Sequence, residues 1–157
     1  MAESLPPCGI YRTKAEIAGI PEGRLVYFHN HGNPGPGLYL PESWRANRAK
    51  FAERGRTLTN LEDARFLEPL PREGFYRVSQ SFHCCDKKCV NFAEDLLVQL
   101  GYNGAGDAIL FTPELLPEGL ALPAQGMKID HDRLALLKQL KVAARREMQS
   151  AASNLVH

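Results

Sequence analysis

The sequence predicts an α+β fold of short antiparallel strands, curling toward a partly closed β-barrel, with one mid-chain helix and one C-terminal helix. Three observations lead there. Runs of β-branched and aromatic residues are short and recur along the chain, as in Leu25-Val26-Tyr27-Phe28 and Gly74-Phe75-Tyr76-Arg77-Val78. The 13 glycines and 11 prolines punctuate them at intervals too short for the crossover helices of a parallel sheet. Apolar residues at helical spacing mark two longer stretches, 44–54 and 130–148.

Residues 1–8 read as a polar, proline-containing arm ahead of a strand at Gly9-Ile10-Tyr11-Arg12. Lys14-Ala15-Glu16-Ile17 fits one helical turn. Pro21-Glu22-Gly23 fits a tight turn, since proline fixes φ and glycine accepts the positive φ that follows. The strand Leu25-Val26-Tyr27-Phe28 runs through His29-Asn30-His31 into residues 32–37, where interleaved proline and glycine exclude both helix and ladder. Leu38-Tyr39-Leu40 returns as its partner, which sets the two histidines near a hairpin tip. Pro41-Glu42-Ser43 suits a helix start. Trp44 and Phe51 on one face, with Gly55 as the stop, then predict the mid-chain helix over 44–54.

A short helix around 61–66 fits inside the connection 58–72, and residues 74–80 read as a strand leading to the cysteines. Val90, Ala93, Leu97 and Leu100 match a helical stripe, whereas residues 96–111 around Asn103-Gly104 match a hairpin. The preferred reading is a brief helical turn passing into that hairpin. Gly119-Leu120-Ala121-Leu122 and Met127-Lys128-Ile129 read as further strands. Asp130 as N-cap, with Leu134, Leu137 and Leu140 at helical spacing, predicts the C-terminal helix over 130–148, followed by a flexible tail over 149–157. No internal repeat is evident, and the chain reads as a single globular domain over 1–157.

Composition bounds the function. With 44% hydrophobic and 24% charged residues the chain matches soluble globular proteins, and its length suffices for a core without disulfides. A net charge of +1 offers no general attraction to nucleic acid or to anionic membranes. No apolar run approaches a membrane span, and the N-terminus lacks the basic leader and apolar core of a secretory signal. The four cysteines are therefore expected to be reduced thiols or metal ligands in the cytoplasm. A phosphate loop, a nucleophile elbow, a His-Glu-x-x-His zinc helix and a dinucleotide fingerprint are all missing.

Reactive chemistry concentrates in Phe82-His83-Cys84-Cys85-Asp86-Lys87-Lys88-Cys89. Thiolate and imidazole are preferred zinc ligands, and a structural site takes four in tetrahedral array. The candidates are His83, Cys84, Cys85 and Cys89, with Cys8 brought in by folding. Cys85 and Cys89 could share one face of a helical turn, whereas adjacent side chains point apart, so one of Cys84 and Cys85 is expected to ligate. Two other readings stand beside zinc: thiols buried as small hydrophobes, and a redox-sensitive pair whose thiolates are favoured by Lys87 and Lys88.

His29 and His31, two apart on a strand, project to one face and form a second candidate metal site. Their His-x-His pattern resembles that of JAMM metallopeptidase-like proteins. Tyr39 and Glu42 occupy the positions of that family's serine and aspartate, so the resemblance implies a metal site drawing on Glu42 but does not extend to the activity. Arg45, Arg48, Lys50 and Arg54 form a locally basic surface, able to bind an anion or simply to solvate a helix whose stems cover the core.

The expected function is a cytoplasmic, non-catalytic binding or regulatory module that recognises a protein or peptide partner, with a structural zinc as cofactor. A nucleic-acid or membrane partner is not expected, and homo-oligomers remain open. The alternatives are a small metal-dependent hydrolase using His29 and His31, and a thiol redox sensor.

Overall fold

In a computed structural model, which describes residues 4–143, nearly every short alternating segment is a strand. In the first half these are β1 (Gly9–Thr13), β2 (Leu25–His29), β3 (Gly37–Tyr39), β4 (Pro41–Arg45), β5 (Arg48–Phe51), β6 (Arg56–Thr57) and β7 (Leu67–Pro69). A 3-10 helix, Leu61–Phe66, precedes β7. The second half holds β8 (Gly74–Val78), β9 (Phe82–His83), β10 (Asn91–Phe92), β11 (Leu97–Tyr102), β12 (Ala108–Phe111), β13 (Glu114–Leu116), β14 (Gly119–Ala121), β15 (Met127–Lys128) and β16 (Leu137–Gln139). A second 3-10 helix, His131–Leu136, precedes β16. All pairings are antiparallel and the barrel is not closed.

The two five-stranded sheets repeat one topology. Their orders are β6-β3-β2-β1-β7 and β15-β12-β11-β8-β16, and each half adds a separate hairpin, β4–β5 or β13–β14. The agreement reaches single bonds. Tyr11 and Tyr76 each donate a hydroxyl hydrogen bond to the carbonyl four residues upstream, at 2.6 Å. Leu70 N–H donates to Ile10 O as Leu140 N–H does to Phe75 O. Lys14 N–H donates to Phe66 O as Ser79 N–H does to Leu136 O. The 3-10 helices bury Ala64 and Leu134 at matching positions. A Cβ on Gly55 would lie 2.6 Å from Leu38 O, and one on Gly126 2.6 Å from Leu110 O.

The expectation of no internal repeat is thus corrected. Identities shared between the halves are sparse, chiefly Gly-x-Tyr-Arg at Gly9 and Gly74, Leu-Val at Leu25 and Leu97, and Pro-Glu at Pro41 and Pro113. Sheet pairing tolerates any residue that keeps alternation, so the topology outlasts the letters.

The mid-chain helix over 44–54 is also corrected. That stretch is the β4–β5 hairpin, with Trp44 opposite Ala49 and Pro41 opposite Phe51. Ala46 (φ 50) and Asn47 (φ 67) form its two-residue turn, and two successive positive φ values match the twist of paired strands. Trp44 and Phe51 satisfy a helical spacing by accident of hairpin length. The expected turn at 14–17 is instead a bridge between Ile17 and Ile20, around Ala18 and Gly19 at positive φ. Helix does form at 61–66, as expected of that connection. The C-terminal helix shortens to His131–Leu136, because residues 137–139 pair with β8 along Val78, Arg77 and Tyr76. The remainder of that expected helix, from residue 144, and the tail lie outside the described residues. Residues 97–111 are strand, turn and strand, with no helical turn ahead of them.

Each sheet covers its own core. One gathers Tyr11, Ile17, Val26, Phe28 and Leu38; the other Tyr76, Val78, Val98, Leu100 and Leu110. The β4–β5 hairpin joins them. Asn47 Nδ2 donates to Gln99 Oε1 (2.9 Å) and to Pro123 O (3.0 Å), while Gln99 Nε2 returns a bond to Ala46 O (2.9 Å). Trp44 Nε1 donates to Tyr102 O at 2.8 Å, and Ala49 N to Glu73 Oε2 at 3.0 Å. Among the described residues no helix is long and apolar enough to cross a membrane.

Candidate metal centre

Among the described residues, two groups of side chains are positioned to hold a metal ion: Cys84, Cys85 and Cys89, and Cys8, His29 and His31. In each the ligand atoms lie within 4.8 Å of one another.

The first group crowns the β9–β10 hairpin. Phe82 pairs with Phe92 and His83 with Asn91, the two phenyl rings 5.2 Å apart. The loop between the strands is closed by Cys84 N–H to Val90 O (2.9 Å) and Lys88 N–H to Cys85 O (3.0 Å), with Lys88 at φ 56. Asp130 N–H caps Cys84 O at 2.9 Å, and Arg133 Nε donates to His83 O at 2.9 Å. An ion pair from Arg133 to Asp86 (3.2 Å) holds the outer side. The second 3-10 helix therefore clamps the cysteine loop.

Inside that frame Cys84 is buried, Cys85 half-buried and Cys89 exposed, all as free thiols. Val90 N–H points at Cys84 Sγ (3.4 Å), and the Cys84 and Cys85 sulfurs are 3.6 Å apart. That separation is close to the ~3.8 Å edge of a tetrahedron with metal–sulfur arms of about 2.3 Å. Adjacent thiols thus converge, against the expectation that their side chains point apart, because the loop bends sharply instead of running as helix or strand. The Cys85 thiol is held below its ordinary range, first by the backbone N–H of Lys87 and then by Cys84. Cys89 is pushed up, chiefly by the charge of Cys85 beside it. The loop thus favours the charged form of Cys85 and disfavours a second negative charge on Cys89, and a bound cation would relieve that repulsion.

Cys8 is not part of this set. It stands before β1, where Asn30 Nδ2 donates to Pro6 O (3.2 Å) and ties the arm to the β2–β3 loop. Its sulfur lies 3.6 Å from His29 Nδ1 and 4.0 Å from His31 Nδ1, donates to Asn30 Oδ1 (3.3 Å) and accepts from Asn30 N–H (3.3 Å). The two imidazole rings are 4.0 Å apart. Of this group Cys8 lines a cleft of about 520 Å³ between the halves, together with Tyr27, Arg48, Phe51, Arg72 and Glu73. Glu73 is 7% exposed, and burial pushes its carboxyl up against the opposing pull of Ala49 N–H and Arg48.

His83 belongs to neither group; what it contributes to the cysteine loop is its backbone carbonyl. Glu42 is exposed on β4 and also belongs to neither. The carboxylate at the cleft is Glu73. Arg45, Arg48, Lys50 and Arg54 are exposed but lie along and beyond a hairpin, not on a helical face, and Arg48 turns toward the cleft. Asn30 and Glu73 were not legible as site residues, since both act through partners distant in sequence; the one available signal was the placement of Asn30 between two histidines. Comparison with protein-family models, with curated proteins and with solved structures finds no match for this chain.

Proposed function

We propose that this protein is a non-catalytic binding module whose Cys84/Cys85/Cys89 loop holds a zinc ion as a structural staple. The observation that carries this reading is three sulfurs within 4.8 Å of one another, on a loop whose backbone N–H groups point at them. Sulfur donors select thiophilic cations, and zinc supplies folding energy without redox chemistry. Three cysteines leave one position for solvent or for a side chain of a protein or peptide partner, so the staple and recognition would share one surface. Reduced thiols suit a reducing compartment such as the cytoplasm.

The test is elemental analysis with thiol titration on protein purified without chelator. One zinc per chain is expected, lost in Cys84→Ser, Cys85→Ser or Cys89→Ser and retained in His29→Ala with His31→Ala. Under half an equivalent, or a stoichiometry indifferent to these serines, overturns the reading. Fast oxidation of Cys85 without metal would point to the redox alternative.

A second reading rests on Cys8, His29 and His31, exposed or half-exposed, with Cys8 also lining the cleft that holds Glu73. Three protein ligands with an open position, near a cleft that carries a carboxylate, would suit a metal-dependent hydrolase. Metal lost on His29→Ala with His31→Ala favours it.

A further inference from the structure

The repeat makes a specific claim about the β13–β14 hairpin. Its counterpart, β4–β5, leaves its own sheet and lies across the next one. It buries Glu73, Gln99, Gly101 and Tyr102 beneath it, and Asn47 O approaches so closely that a Cβ on Gly101 would lie 2.6 Å away. Matching the two hairpins at their two-residue turns, 46–47 and 117–118, places Leu115 at Trp44, Leu116 at Arg45, Gly119 at Arg48 and Leu120 at Ala49. The hairpin β13–β14 is thus built to reach a following sheet, and the described residues contain none. Leu115 is 84% exposed, Leu120 63%, Leu122 39% and Leu116 38%. Leu115 and Leu120 are cross-strand partners and form one apolar surface.

The receiving side is also present and only half covered, the Tyr27 ring resting on Tyr39 and Phe51 of its own half. The positions on the first sheet that match Glu73, Gln99, Gly101 and Tyr102 are Cys8, Tyr27, His29 and Asn30. Cys8 is exposed and the other three half-buried, whereas all four counterparts are buried under β4–β5. Among the described residues, a hairpin with exposed leucines and a sheet face more open than its counterpart therefore occur together. Where Asn47 and Gln99 lock the internal contact by amide bonds, the open pair offers leucines and the Tyr27 ring, a contact formed by apolar burial.

We infer that β13–β14 docks on the first sheet of a second copy of this chain, against Tyr27, His29 and Asn30, repeating between copies the contact that β4–β5 makes within one. This is a head-to-tail contact, which closes when two copies exchange hairpins and otherwise propagates. It requires no metal and stands apart from the zinc reading. It would also cover Cys8, so the cleft could not serve as an open hydrolase site in the assembled form.

The experiment is light scattering on the full chain across a concentration series, with variants on each side. Leu115→Asp with Leu120→Asp alters only exposed side chains; Tyr27→Arg and, separately, Asn30→Arg alter the receiving sheet, with melting temperature checking that each is folded. The parent is expected to associate, and each variant to run as monomer with association about a hundredfold weaker. Mixing the hairpin variant with a receiver variant should restore a one-to-one complex, because one intact hairpin then meets one intact sheet. Alkylation of Cys8 should slow as the parent associates. A parent that stays monomeric throughout overturns the inference. So do association that survives Leu115→Asp with Leu120→Asp, and a variant mixture that remains monomeric.

Discussion

At the scale of single residues, Glu73 shows how position alone gives chemistry to an ordinary side chain. It lies under the β4–β5 hairpin, accepts the Ala49 N–H at 3.0 Å and faces the cleft. Burial raises its carboxyl above the ordinary 4.5. A carboxyl raised on folding holds its proton more tightly in the folded state. Its contribution is complete below the unfolded value and is lost as pH rises through the folded one. Stability should therefore decline as pH climbs from about 4.5 through that raised value. Glu73→Gln keeps an acceptor for Ala49 and removes the charge. Its melting temperature at neutral pH is expected to match or exceed the parent's, with the decline above pH 4.5 flattened. A lower melting temperature at neutral pH would show that the ionised carboxylate stabilises the hairpin instead. Cys85 follows the same logic from the other direction, since backbone N–H groups favour its charged form.

At the scale of elements, the decisive positions are those where two backbones meet. Gly126 precedes β15, and a Cβ there would stand 2.6 Å from Leu110 O. Gly55 precedes β6 with the same 2.6 Å approach to Leu38 O. Backbone cannot step aside as a side-chain tip can. Gly126→Ala and Gly55→Ala are each expected to cost about 1–3 kcal/mol in urea unfolding. Gly35→Ala, with nothing within 4 Å, should stay within about 0.5 kcal/mol of the parent and serves as the control. Equal tolerance at all three would refute the close approach. Hairpin identity is set similarly. Helical spacing and a two-residue turn compete over 44–54, and the bonds from Gln99 Nε2 to Ala46 O and from Asn47 Nδ2 to Gln99 Oε1 favour the turn despite positive φ on an alanine.

At the scale of the whole molecule, two sheets of like order are made interdependent by one hairpin. Trp44 is the sole tryptophan and its indole N–H bonds Tyr102 O at 2.8 Å, so its fluorescence reports docking of that hairpin on the second sheet. In the parent, fluorescence and far-UV circular dichroism should follow one unfolding curve, as expected of cooperatively joined halves. Asn47→Ala removes two bonds worth about 1 kcal/mol each, leaves Gln99 partly unpaired, and should move the fluorescence transition ahead of the other. Coincident curves in that variant would mean that apolar packing, not the amide lock, joins the halves.

Strand-rich antiparallel architecture was legible in the letters, because alternation and turn residues act locally: the β2–β3 and β11–β12 hairpins and the helix at 61–66 all lie where local chemistry puts them. The closeness of Cys84, Cys85 and Cys89 was legible too, being a matter of chain distance. What needed three dimensions was everything that depends on partners remote in sequence. Cys8 joins His29 and His31 because β1 pairs with β2. Residues 137–139 become strand because β8 offers them an edge. The repeat emerges because hydrogen-bonded order survives where side-chain identity does not. Propensity acts over a few neighbours and weakly, whereas long-range pairing and burial carry the larger free energies and settle which local option is used.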